Sequence, residues 1–364
     1  MAPKVTVMMA VYNAEKYLRQ AIESILRQSF HDFELVIHDD GSTDHSAEII
    51  QSYRDSRIRA VLNPINQGEE RVRNQCLQRA RGEYIAVLDA DDVAHRDRLQ
   101  IESDFLNRNT DVSLVGSAHE IIDEAGRVVG IQRIYSDELA IKWGLLLGNQ
   151  FSHSTVMYRR EDVLAIGGYD EVLSYGSDFD LWVRLTTRGR LVNLREPLSQ
   201  YRVHNQNTTH TLRSSAKADG ISMVVARSIH LITGHSIDLE VAKILTRDFH
   251  KPASTKAALE LAFDTTYLCL ERFINSAAPN RRDRQTIIDL VVQDLLRIAN
   301  RNPGSLRLAQ MKALRSVARY DPCSLVKKRY LGMLAEKILP NTVVGLTRRF
   351  LQTGPRTRDL AIRS

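Results

Sequence analysis

The chain has 364 residues, 43% of them hydrophobic and 26% charged, a globular balance with no low-complexity stretch and no fixed-period repeat. Its formal charge of +6 is concentrated at the end, where Lys327, Lys328, Arg329, Arg348, Arg349, Arg356, Arg358 and Arg363 lie; a basic end suits an anionic partner, membrane lipid or nucleic acid. Three cysteines, Cys76, Cys269 and Cys323, are odd in number and form no CxxC pair, which argues against a disulfide framework or zinc site and for a reducing compartment.

The elements follow from periodicity. Val5–Val11 is an apolar run, too short for a membrane span, that reads as a buried strand. Helical spacing of Tyr17, Leu18, Ala21, Ile22, Ile25 and Leu26 predicts a helix over 14–29. A second strand is expected over 33–39, a helix from the N-cap candidate Asp44 to about 54, a third strand over 58–62, and a helix over 71–80. A fourth strand over 84–89, a helix over 96–107 and a fifth strand over 112–119 complete the alternation. Strands alternating with helices indicate a mostly parallel α/β sheet covered on both faces, with its ligand beyond the carboxyl ends of the strands.

From 120 to 203 the pattern is mixed, with helices expected at about 136–147 and 178–187. Beyond about 213 strand signals fade, and helices are expected over 255–274, 284–298, 305–317 and 325–338. The polar stretch His204–Thr211 suggests a domain boundary near residue 210, giving domains 1–210 and 211–364. No window reaches eighteen uninterrupted apolar residues and the N-terminus lacks a signal-peptide pattern, so the expectation is a cytoplasmic protein, soluble or peripheral on the inner face of the membrane.

Three acidic clusters fall where strands end or helices begin: Asp39-Asp40, Asp89-Ala90-Asp91-Asp92 and Asp178-Phe179-Asp180. The second follows an apolar strand directly, with three carboxylates in four residues. Grouped carboxylates repel unless a cation neutralises them, and Asp-x-Asp on an extended backbone puts two of them within reach of one hard cation, Mn²⁺ or Mg²⁺. The plain alternative is a helix N-cap on a solvated loop, which is the reading for Asp92 taken alone.

The ordered set of motifs resembles a family 2 glycosyltransferase of the GT-A fold. It comprises Val5–Asn13, Asp39-Asp40-Gly41-Ser42-Thr43-Asp44, Asn66-Gln67-Gly68, Arg73-Asn74, Ala80–Tyr84 leading into Asp89–Asp92, His153–Met157, Gly167-Gly168-Tyr169-Asp170, Asp178–Arg184 and Tyr201–His204, and covers about residues 4–205. The resemblance implies that Ala10 and Tyr12 flank a nucleotide base, that Asp40 meets the uracil edge, and that Arg73 faces the nucleotide. It implies that Asp89 lies near the ribose and metal, that Asp91 is the main metal ligand, and that His204 reaches the metal or diphosphate when the site closes. Asp178 matches the catalytic base, and its place at a helix N-terminus favours the charged form; Gly168 and Tyr169 lie near the acceptor.

Two departures stand out. Many relatives carry Glu-Asp where this chain has Ser177-Asp178, so a carboxylate that orients the acceptor is missing; Asp180 could fill part of that role, although two residues along a helix it should face elsewhere. No Gln-x-x-Arg-Trp motif follows, which disfavours a processive polymerase. His153 and Trp182 fit a packed core, and Cys76 a buried helix face.

The resemblance thus implies inverting, metal-dependent, non-processive transfer of a sugar from a nucleoside-diphosphate sugar, UDP first, to a hydroxyl of a glycan or lipid-linked acceptor in surface-polysaccharide synthesis. The rival is a catalytically weak nucleotide-sugar-binding scaffold. Missing GxGxxG and P-loop motifs argue against a dehydrogenase and a kinase, and a terminal basic excess without interleaved aromatics argues against nucleic acid. The basic amphipathic segments 325–338 and 343–351 suit an anionic membrane surface, a solvated helical cap or a homodimer contact.

Overall fold

A computed structural model describes residues 2–173, 175–207, 214–247, 252–277, 280–302 and 305–320. The basic segments 325–338 and 343–351 lie outside them. The chain divides into two compact units, Met1–Phe249 and His250–Ser364.

The first unit begins with parallel strands β1 (Val5–Val11), β2 (Phe33–Asp39), β3 (Ile58–Leu62) and β4 (Tyr84–Val87), linked by helices α1 (Leu18–Leu26), α2 (Ser46–Ser52) and α3 (Glu69–Arg79). Their order in the sheet is β3-β2-β1-β4. Val5 sits opposite Phe33 on one side and Tyr84 on the other. The strand order therefore reverses at β1, and a crevice opens beyond the carboxyl ends of β1 and β4. β1 and β2 are buried almost throughout, as a sheet covered on both faces requires. In α1, Leu18, Ala21, Ile22 and Ile25 form the i, i+3, i+4, i+7 stripe that packs into this core; each fully buried aliphatic side chain contributes about 1.5–3 kcal/mol.

The short strand β5 (Val93–Ala94) and α4 (Arg98–Arg108) follow, then β6 (Val112–Ile122), β7 (Val128–Gln132), α5 (Glu138–Leu145), β8 (Met157–Arg159), α6 (Arg160–Ala165), α7 (Ser177–Leu185) and β9 (Arg190–Arg202). Among the described residues the sheet has nine strands, continuing β4-β8-β6-β9-β5 with β7 on β6. The expected α/β sheet is thus present, parallel over β1–β4 and mixed beyond them. β8 enters antiparallel to both β4 and β6, and β5 lies antiparallel to β9, whereas β6 and β9 run parallel. Three-residue β8 and two-residue β5 are too short to leave a periodic signal.

Helices α8 (Ser214–Thr233) and α9 (Leu239–Leu245) also belong to the first unit, so the expected boundary near 210 falls inside it and the break lies at 249/250. α8 lies against the start of α7: a Cβ at Gly176 would stand 2.9 Å from Ile221, and one at Gly220 would stand 2.5 Å from the Tyr175 carbonyl. Ser228 also donates to the Leu145 carbonyl (2.8 Å). A polar stretch read as a linker says nothing about such contacts further along the chain. The second unit contains α10 (Lys256–Ala277), α11 (Arg281–Asn300) and α12 (Leu306–Tyr320), as periodicity led us to expect. Among the described residues no helix is long and apolar enough to cross a membrane.

Candidate active site

The crevice is built from strand ends. Beyond β1, Tyr12 is 52% exposed, an aromatic ring left free for a planar partner. Asn13 has φ +51°; its side chain accepts the Thr43 N–H (2.8 Å), while its own N–H donates to Ser42 (2.9 Å), which fastens the β1 and β2 loops together. Ala10 pairs in register with His38, and the Asp40 N–H donates to the Val11 carbonyl (2.8 Å). Asp40 is buried. It accepts from the Gln67 N–H (2.9 Å), the Gly68 N–H (3.0 Å) and the Asn63 amide (3.1 Å), so much of its capacity goes to holding the 63–68 loop.

Beyond β4 the acidic cluster divides into three environments. Asp89 faces His153 Nδ1 (2.9 Å) and Arg73 (3.8 Å) through one oxygen and the Ser154 hydroxyl (3.0 Å) through the other. Burial alone would raise its carboxyl, but the His153 and Arg73 charges and these hydrogen bonds outweigh it and hold Asp89 far below the usual range. Asp91 accepts from His204 Nε2 (2.9 Å) and Asn207 (3.2 Å). Burial and the Asp89 charge push it up. Asp92 is fully buried and accepts the Arg202 N–H (2.8 Å), which corrects the solvated-loop reading; burial and the charges of Asp91 and Asp89 push it well up.

His153 forms a link that its core reading missed. Because the Asp89 carboxylate only accepts, Nδ1 carries the hydrogen, and Nε2 pairs with the Tyr169 hydroxyl (3.0 Å). With a hydrogen on Nδ1, the 3.4 Å approach of Arg73 to that nitrogen is a contact, not a hydrogen bond. Arg73 is buried, pairs with Glu69, and stands 5.6 Å over the Tyr169 ring. Burial pushes the Tyr169 phenol well up, and the nearby Asp178 charge adds to it. Asp89, His153 and Tyr169 thus form one hydrogen-bonded series. Trp182 lies beneath, fully buried against Phe151, His153 and Tyr158. Burial pushes the Cys76 thiol up to about 12, the state of an inert core residue.

Asp178 is the second residue of α7 and accepts from the Asn149 amide (2.7 Å), a partner that no motif revealed. Beside it, Ser177 donates to Glu70 of α3 (3.0 Å), so a carboxylate that the local sequence lacks arrives from 107 residues away. Asp180 does face elsewhere, since two helical residues turn the chain by about 200°. It is buried between Arg184 (2.7 Å) and Arg227 (3.1 Å). Gly168, Tyr169 and Asp180 nonetheless meet, lining a cleft of about 460 Å³ with Arg184 and Arg227. Gly168 has φ +72°, and a Cβ there would stand 2.5 Å from Asn74 Oδ1, which accepts the Tyr169 N–H (2.8 Å).

Comparison with known proteins agrees with this architecture. Residues 6–166 match the family Glycosyl transferase family 2. The putative glycosyltransferase EpsE of Bacillus subtilis is 34% identical over 255 residues, covering 68% of this chain and 90% of that protein. An uncharacterized glycosyltransferase of Methanocaldococcus jannaschii is 35% identical over 211 residues, 56% of this chain and 72% of the relative. Among solved structures, S. aureus TarS 1-349 in complex with UDP-GlcNAc superposes with a TM-score of 0.54 at 17% identity, over 92% of this chain and 91% of that one. The mannosyltransferase PcManGT from Pyrobaculum calidifontis, in complex with GDP-Man and Mn²⁺, gives 0.50 at 15% identity, over 97% and 89%. These two likenesses bear on the fold, a curled mixed sheet with helices, whereas the closer identity to EpsE bears on descent. On that ground the chain belongs to glycosyl transferase family 2 and is a glycosyltransferase.

Proposed function

We propose that the protein transfers one sugar per encounter from a nucleoside-diphosphate sugar to an acceptor hydroxyl, with inversion and with help from a divalent cation. The observation that carries this reading is that α3 ties the acidic cluster to the start of α7: its Arg73 reaches Asp89 (3.8 Å), whose neighbour Asp91 is held by His204 (2.9 Å), and its Glu70 accepts from Ser177, next to Asp178 (3.0 Å). The exposed Tyr12 ring supports a nucleotide base at the β1 end, with Ala10 and Asp40 flanking it. The bound ligands of the structural neighbours, UDP-GlcNAc and GDP-Man, leave uridine and guanosine carriers both in play, with UDP the first choice.

The cation fits the chemistry of the donor set. Asp91 and Asp92 are pushed up by burial and by neighbouring carboxylates, a repulsion that Mn²⁺ or Mg²⁺ at Asp91 would relieve. Among the described residues no group of three or more His, Cys, Asp or Glu side chains is set to hold a metal. A hard cation that takes one or two protein carboxylates completes its shell with substrate phosphates, so Asp91 with one neighbouring ligand, Asp89 or His204, would hold it. When bound, it would neutralise charge on the departing diphosphate.

The chain's own residues do the rest. Asp178, held by Asn149, accepts the proton of the acceptor hydroxyl as that oxygen bonds to the anomeric carbon. The bond to the diphosphate breaks on the opposite face, and the nucleoside diphosphate leaves. Tyr169 and Gly168 set the wall near the acceptor, a glycan or lipid-linked chain of surface-polysaccharide type. The test follows release of nucleoside diphosphate from a panel of nucleotide sugars with Mn²⁺ or Mg²⁺. We expect slow metal-dependent hydrolysis of one donor and its loss in Asp91→Ala. Donor binding without turnover, acceptor present, would instead favour the scaffold reading.

A further inference from the structure

Asp91 is gripped from two sides. In front, His204 and Asn207 hold its side chain. Behind, Arg202 holds its main chain: Nε donates to the Asp91 carbonyl (2.9 Å). Arg202 is only 1% exposed. Its Nη1 donates to the Asp123 carbonyl (3.1 Å), its Nη2 to Gln20 Oε1 (2.6 Å), and its backbone N–H to Asp92 (2.8 Å). The guanidinium lies 4.5 Å over the Tyr17 ring, and that ring packs on His204 at 4.9 Å.

Every guanidinium nitrogen is thus spent on a neutral oxygen. A buried cation with no carboxylate paired to its fork is costly as a purely structural device, and an apolar side chain would fill the space at less expense. What the fork provides is direction. Its three bonds run to α1, to the turn after β6 and to the acidic loop, and the residue itself ends β9, two positions before His204. A planar guanidinium fixes three directions at once, which an ammonium cannot do.

We propose that Arg202 is a positioning residue for the divalent-cation site, fixing where the Asp91 carboxylate and the His204 ring are presented. It touches neither cation nor substrate. The inference rests on the reading of Asp91 as a cation ligand, and the test separates the two.

The probe is Mn²⁺ with uridine diphosphate, and in a parallel arm guanosine diphosphate, titrated with the full chain while free Mn²⁺ is read by electron paramagnetic resonance. The variants are Arg202→Lys, Gln20→Leu and Asp91→Asn. Removing a residue that orients a ligand typically weakens metal binding about 10–100-fold, so we expect roughly 10-fold for Arg202→Lys. Gln20→Leu, altering an exposed residue that anchors only one nitrogen, should weaken binding less but in the same direction, and Asp91→Asn should abolish it. If the first two variants lower the thermal midpoint yet bind Mn²⁺ like wild type while Asp91→Asn does not, the inference is overturned and the cation reading stands. No Mn²⁺ binding by wild type with either nucleotide would overturn both. If Arg202→Lys does not fold, Gln20→Leu decides.

Discussion

Adjacent glycines at the end of α6 allow the wall of the site to be tested by difference. Gly167 and Gly168 both adopt left-handed backbone, with φ of +87° and +72°. A Cβ at Gly167 meets nothing within 4 Å, so Gly167→Ala costs only backbone strain, about 1–2 kcal/mol. A Cβ at Gly168 would stand 2.5 Å from Asn74 Oδ1 and force that side chain aside. Asn74 accepts the Tyr169 N–H (2.8 Å) and donates to the Tyr169 carbonyl (2.9 Å) and to Glu171 (2.9 Å). Losing two or three such bonds, at about 1 kcal/mol each, adds about 2–3 kcal/mol for Gly168→Ala beyond Gly167→Ala. In a unit of this size that is a further drop of about 5–10 °C in melting temperature. Displacing Tyr169 also removes the partner of His153 Nε2, so turnover should fall in Gly168→Ala and hold in Gly167→Ala at a temperature where both are folded. Differential scanning calorimetry with donor-hydrolysis rates reads both effects. Equal midpoints and equal rates would refute the reasoning, because they would mean that Asn74 yields freely and does not set Tyr169.

Other expectations concern chemistry and pH. Asp178→Asn should lower kcat by 10²-fold or more while leaving donor affinity, read by calorimetric titration, near wild type; the factor is about that of a general base. Tyr169→Phe removes the hydroxyl bonded to His153 and should lower kcat with the melting temperature nearly unchanged; an unaltered rate would disconnect Tyr169 from the site. Burial lowers the His119 imidazole from 6.5 to about 4, so the unfolded chain binds the extra proton between those values. Stability from a neutral His119 is therefore complete above pH 6.5 and lost as pH falls toward 4, by up to about 3 kcal/mol. Denaturant midpoints at pH 7.5 and 4.5 should converge in His119→Leu, and an unchanged acid slope would argue that His119 is solvated.

The sequence by itself determined everything that depends on neighbours along the chain. Alternation and helical spacing located β1 to β4 and α1 to α4 within a few residues, because period reports burial directly. Three carboxylates after an apolar strand located the acidic loop, and spacing alone turned Asp180 away from Asp178. Only the tertiary structure decided what depends on distant partners. Asp92 carries the same side chain as Asp91 yet is buried, where it accepts the backbone N–H of Arg202, 110 residues on. His153 passes for a core residue until Asp89, 64 residues earlier, comes within 2.9 Å. Glu70 reaches Ser177 only once α3 and α7 are brought together, and α8 joins the first unit through contacts with the start of α7 and with Leu145 of α5. Strand pairing, burial of charge and domain limits are set by surfaces that meet after folding, and a linear pattern carries no record of which surfaces those are.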